Sequence, residues 1–195
     1  MINNSPSRRA YGFNDKMTAS EKIFFGLACT LSAFFISILQ TCFFFNFRPF
    51  GMAPDLCLAL AVASGLKFGA KCGGVIGLLS GFFLDAFTAE GFSLAIPFYL
   101  VLGVLTGLLF NESSEINLPH FVLFLISTVA GIALKGFAST VSVSITFSAF
   151  NIADVLFKTV LPEAISTLIF SLTIYFPAAL VSTIIKKKQG FAPKK

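Results

Sequence analysis

GGVIGLLSGFFLDAFTAEG, residues 73–91, decides what solvent this chain folds in. Gly73, Gly77 and Gly81 recur at every fourth position of an otherwise apolar run, and Asp85 takes the next place in the series. On a helix that spacing draws one shallow stripe, drifting about 40° per step because four residues overshoot a turn. In water each glycine would weaken such a helix by roughly 0.8–1.0 kcal/mol relative to alanine. In lipid the backbone has to satisfy its own hydrogen bonds, so the helix persists, and a stripe without side chains lets a second helix approach closely. The spacing predicts a helix-packing seam that ends in a carboxylate.

The rest of the chain agrees with an apolar solvent. Of its 195 residues 56% are hydrophobic and 12% charged, against roughly 25% charged in an ordinary soluble domain. Apolar runs close to the 18–20 residues that cross a bilayer follow one another with short breaks, leaving no room for a soluble domain. The first run, from Ile23, is too long for a signal-peptide core and has no clear small-residue cleavage site after it, so it reads as a retained span. The net charge of +5 comes from Lys and Arg placed mostly near the two ends, a pattern that topology explains better than nucleic-acid binding. Cys29, Cys42, Cys57 and Cys72 form no Cys-x-x-Cys pair and read as small buried hydrophobes.

The predicted architecture is an all-α integral membrane protein, a compact bundle of about six transmembrane helices. A disordered basic cytoplasmic tail (1–21) precedes a polytopic domain (22–186), and a second basic tail (187–195) follows. The spans are 23–45, 54–66, 73–87, 92–110, 120–147 and 158–185. Pro54 and Asp55 open the second, since proline suits a first helical turn and an acid favours the positive end of the dipole. Pro97 is expected to kink the fourth, in which Gly103 and Gly107 make a second close-contact pair. Both tails and the Lys67–Lys71 link are basic, whereas the following link carries only acids, so the positive-inside rule puts both termini in the cytoplasm.

Three ionisable residues inside these runs are costly, each by about 2.5–3.5 kcal/mol at a bilayer centre, and should face protein, water or a partner charge. Lys135 is expected to pair with Glu163 or Asp85 and so fix helix register. The alternative is that all three snorkel to an interface or sit at helix ends. His120, the one histidine, has no Cys, Asp or Glu at ligand spacing, and no metal or cofactor is expected. Residues 139–148 alternate Ser/Thr with apolar side chains; a helix whose hydroxyls bond its own carbonyls is favoured over an extended piece, because an open strand cannot face lipid. No nucleophile with a base, phosphate loop or zinc motif argues for an enzyme.

The order of landmarks resembles the MreD family of rod shape-determining membrane proteins. The matching residues are Gln40-Thr41 closing the first span, Pro54-Asp55 opening the second, the Gly74, Gly77, Gly81 and Asp85 series, and Gly103 with Gly107 in the span after. The resemblance covers residues 40–110, and the second half matches in hydropathy alone. It implies a non-enzymatic component of the bacterial cell-elongation machinery in the cytoplasmic membrane. Its partners would be MreC, the MreB cytoskeleton and RodA with its transpeptidase partner, in lateral peptidoglycan synthesis. The basic tails would meet anionic lipid, at about 1 kcal/mol per Lys or Arg near the surface.

A competing class is the substrate-capture subunit of an energy-coupling-factor vitamin transporter, also a compact bundle of about six helices. It would need a polar, aromatic-lined pocket, which Gln40, Asp85, Glu90, Asn151 and Asp154 could line. An enzyme acting on lipid head groups has no motif to support it.

Overall fold

The computed structural model describes residues 18–88, 95–112, 120–146 and 156–188. Helix α1 (Ala19–Ile38) runs on through a π-helical turn (Leu39–Phe43) and a last helical turn (Phe44–Asn46). Then come α2 (Leu56–Phe68), α3 (Ala70–Thr88), α4 (Ala95–Glu112) and α5 (His120–Thr146), and a second π-helical turn (Leu156–Val160) leads into α6 (Leu161–Lys188). Four segments are long and apolar enough to cross a membrane: Ala19–Phe43, Ala70–Thr88, His120–Ala138 and Phe157–Ile184. Leu56–Phe68 and Ala95–Leu109 are shorter apolar helices. Among the described residues there is no strand, and residues 139–146 continue α5 as helix. The expectation of disordered tails falls largely on residues 1–17 and 189–195, outside the described residues.

Pro54 sits differently from expectation: it lies before the helix, because Asp55 is the N-cap of α2 and Leu56 its first residue. Pro97 is the third described residue of α4, so the expected kink falls at the edge of the described residues, with 89–94 outside them. The link between α1 and α2 reverses through a tight turn (Pro49–Gly51) with Phe50 and Gly51 at φ 61° and 88°.

Helix α2 is the centre of the bundle. Every residue from Leu56 to Gly65 is buried, so its flanks meet protein. At 13 residues and 1.5 Å per residue it is about 20 Å long, well short of a hydrocarbon core of about 30 Å. Such a helix is stable there because its ends are met by neighbouring side chains. Outward-facing residues are large and apolar, as on α1, where Phe24 is 75% and Phe35 64% exposed.

The bundle has two unlike ends. The Phe25–Phe68 ring contact at 5.1 Å puts the start of α1 beside the end of α2. Lys67 Nζ donates to Tyr175 Oη at 3.1 Å, so the last turns of α6 lie beyond the same end. Lys22, Lys67, Lys71 and the final Lys186–Lys188 turn of α6 therefore gather at one end of the bundle. The opposite end gathers the start of α2, α4 and α6 with the π-helical turn of α1.

Candidate functional site

The site has two parts that share α2 and α4. The first is the glycine seam. A Cβ on Gly77 would collide with the backbone of Tyr99, one on Gly81 would stand 2.6 Å from Ile96 Cα, and one on Gly73 2.5 Å from Gly65 Cα. From the other side, a Cβ on Gly103 would strike the Gly73 carbonyl and one on Gly107 would strike Ala70. Helices α3 and α4 thus lie antiparallel with backbone against backbone, the most extensive helix pairing among the described residues. Gly74 faces a side chain instead, Val104 Cγ2 at 2.7 Å. Gly65 of α2, which the sequence reading passed over, belongs to the seam: a Cβ there would sit 2.6 Å from the Gly103 carbonyl oxygen. Its signal was the four-residue spacing continued backwards through Gly69 to Gly65.

The second part is a buried polar hub on Asp55, which is 1% exposed. As N-cap of α2, Asp55 accepts from the Leu58 N–H through Oδ1 at 3.0 Å, satisfying one of the orphan donors of a helix start. Its Oδ2 accepts from Tyr99 Oη of α4 at 2.7 Å and from Lys135 Nζ of α5 at 2.6 Å. The Asp55 backbone N–H donates to Thr167 Oγ1 of α6 at 2.8 Å. Gln40 of α1 accepts from the Cys57 N–H at 2.9 Å through its side-chain oxygen, and its amide nitrogen lies 3.5 Å from Asp55 Oδ1. Lys135 Nζ also contacts Glu163 Oε1 of α6 at 2.6 Å. Through its carboxylate and its backbone N–H, Asp55 thus ties together α1, α2, α4, α5 and α6.

Taking such charges out of water is costly, and mutual attraction offsets the cost only where remaining donors and acceptors are also matched. Here they are matched closely. Asp55 is served by an ammonium, a phenol, a backbone N–H and an amide, and the Lys135 ammonium lies between two carboxylates. Two π-helical turns flank this geometry: Gln40 lies inside the first, and Glu163 stands in the first turn of the helix that follows the second. A π turn sets its residues out of the 3.6-residue phase, and such turns concentrate at functional sites.

Of the residues singled out from sequence, the structure brings Gln40, Asp55, Lys135 and Glu163 together, and Pro54 directly precedes them. Thr41 stays on α1, donating to the Ser37 carbonyl at 2.8 Å. Asp85 is the correction. The second carboxylate on Lys135 is Asp55, and Asp85 lies near the end of α3 with Oδ1 buried and no hydrogen-bond partner among the described residues. Proline spacing and the dipole argument gave Asp55 a role local to its own helix, so its partners 44 and 80 residues away were not foreseen. Of the cysteines Cys57 is buried, Cys29 and Cys72 are half-buried, and Cys42 is exposed against expectation. Glu90, Asn151 and Asp154 lie outside the described residues.

A cavity of about 540 Å³ lies between α1 and α6, floored by α2. Its walls are almost wholly carbon, and neither Asp55 nor Lys135 is among its lining residues. Ser32 and Ser64, which do line it, turn their hydroxyls to the carbonyls of Cys29 and Ala61 at 2.8 Å. Among the described residues no three His, Cys, Asp or Glu side chains converge as a metal site would require. No family model, curated protein or solved structure matches the chain.

Proposed function

We propose that this chain is a non-enzymatic membrane scaffold of the bacterial cell-elongation machinery, of the MreD kind. It works in the cytoplasmic membrane with MreC, the MreB cytoskeleton and RodA with its transpeptidase partner, in rod-shape determination and lateral peptidoglycan synthesis. The observation that carries the reading is the convergence of several of the residues behind the resemblance, Thr41 and Asp85 standing apart. Gln40 and Asp55 meet in the hub, Gly77 and Gly81 pack on α4, Gly103 packs on Gly73, and Tyr99 belongs to both groups. Residues scattered by chance along an apolar chain would have no reason to build one contact network.

The gathering of Lys22, Lys67, Lys71 and Lys186–Lys188 at one end supports both termini on the cytoplasmic face. The apolar walls of the α1–α6 cavity do not suit a polar vitamin, which would need hydrogen-bonding groups aimed at it.

A tagged copy isolated from native bacterial membranes tests the reading. Co-purification of MreC, with rounding of rod-shaped cells on depletion, is the expected result. A tightly held vitamin, or saturable vitamin uptake, without MreC would overturn it in favour of the transporter subunit.

A further inference from the structure

We infer that the cleft between α1 and α6 holds an acyl chain of an anionic phospholipid, with its head group at the Lys22 end. The inference goes beyond the proposed scaffold role and stands without it, because it rests on shape and charge alone.

The cleft runs along α1 from Phe25 to Phe44, about 28 Å at 1.5 Å per residue, close to the roughly 30 Å of a hydrocarbon core. Lining rings meet at either end: Phe25 meets Phe68 of the floor helix α2 at 5.1 Å, and Phe44 meets Phe170 of α6 at 4.8 Å. A helix about 10 Å across cannot lie full length beneath both contacts, whereas an acyl chain enters from the side and bends out past Phe25 toward Lys22.

The two halves of the cleft differ. Towards Phe44 the wall is bulky, with Leu39, Phe43 and Phe170; towards Phe25 it is lined by Ala28, Cys29, Ser32, Ser64 and Ala178. Small side chains of all three helices thus recess the wall in the half nearer the basic end, between the larger Phe25, Phe68, Pro177 and Val181. From Phe25 to Ile36 this recess extends about 16 Å along α1, close to the depth of one leaflet, half of the roughly 30 Å core. Ser32 and Ser64 turn their hydroxyls to carbonyls of their own helices, so neither offers a free donor to that recess.

Charge selects the head group. Lys22 stands one turn before Phe25 and on the same face as Phe25 and Cys29, since residues three and four apart are neighbours on a helix. It is exposed at that end of the cleft, and Lys71 at the start of α3 is at the same end of the bundle. A phosphate there lies at the end that carries both cations, each contributing attraction of the kind that holds basic segments to anionic leaflets.

Native mass spectrometry of the detergent-solubilised chain tests this with phosphatidylglycerol and phosphatidylcholine of identical chains. One phosphatidylglycerol should stay bound at least tenfold more tightly than phosphatidylcholine. Ser32→Phe, which fills the recess, should abolish its retention, and Lys22→Gln should lower the preference severalfold. Equal binding of the two lipids, or undiminished binding to Ser32→Phe, overturns the inference. Because Ser32→Phe could disturb α1, the unaltered protein is also treated with phosphatidylglycerol carrying a photoreactive group midway along one chain. Adducts on Cys29, Ser32 or Ala178 support the inference. Adducts confined to outward-facing Phe24, Leu31 and Phe35, or a polypeptide crosslinked in the cleft, overturn it.

Discussion

Tyr99 donates its hydroxyl to Asp55 at 2.7 Å, while its backbone is the surface on which Gly77 lies. The glycine seam and the polar hub are therefore one construction. Gly77 sets how near α4 comes to α3, and Tyr99 reaches from α4 to the start of α2. A change in either part should be felt in the other.

Leucine at Gly77 or Gly81 has to displace backbone, which cannot yield as a flexible side chain can. Overpacking of this sort costs about 3 kcal/mol or more at its severe end. Gly77→Leu and Gly81→Leu should lose the monodisperse gel-filtration peak in detergent and fail to restore rod shape. Gly26→Ala, at a position with nothing within 4 Å of an added Cβ, should match the parent in both.

Tyr99→Phe keeps the ring and removes one donor from a buried carboxylate. Hydrogen bonds to charged groups contribute about 1.5–3 kcal/mol. Unfolding by titrated denaturing detergent should show a loss in that range. A change below about 0.5 kcal/mol, the scatter of ordinary surface substitutions, would mean that the hydroxyl adds nothing.

Lys135 and Glu163 should couple. In a double-mutant cycle of Lys135→Met and Glu163→Gln, the interaction energy should fall at about 1–3 kcal/mol, as for residues in direct contact. The cycle of Lys135→Met with Asp85→Asn should be additive within about 0.5 kcal/mol, since Asp85 has no place in the hub.

Asp55 does two things, capping α2 and holding Lys135, and two substitutions separate them. Asp55→Asn retains a good N-cap and loses the charge, whereas Asp55→Ala loses both. The alanine variant should be less stable than the asparagine variant by about 1 kcal/mol, the ordinary worth of a cap. Equal stability of the two would show that the cap contributes nothing.

The seam was legible because a four-residue glycine spacing has one helical meaning in lipid, and the spacing itself names the residues. The pairing of Lys135 with a carboxylate followed from the cost of an isolated charge, which forces a partner without saying which. Asp55 shows where this reasoning stops. At the sequence level Pro54-Asp55 is a helix start and nothing more, and its other partners sit on four further helices whose relative rotation no local pattern records. Gln40 was harder still, because a π-helical turn alters the phase at the residue concerned and leaves no mark on hydrophobic periodicity.

The enclosure of α2 bears on how the protein is made. A segment of 13 residues preceded by an aspartate is a poor client for insertion machinery that selects stretches of about 20 apolar residues. Its residence in the bilayer is acquired from companions, with α1 and the α2–α3 hairpin delivering it and α4 to α6 sealing it afterwards. In chains truncated after α2 that helix should accordingly stay out of the bilayer although α1 anchors the chain, while in chains extended through α4 it should be held within it.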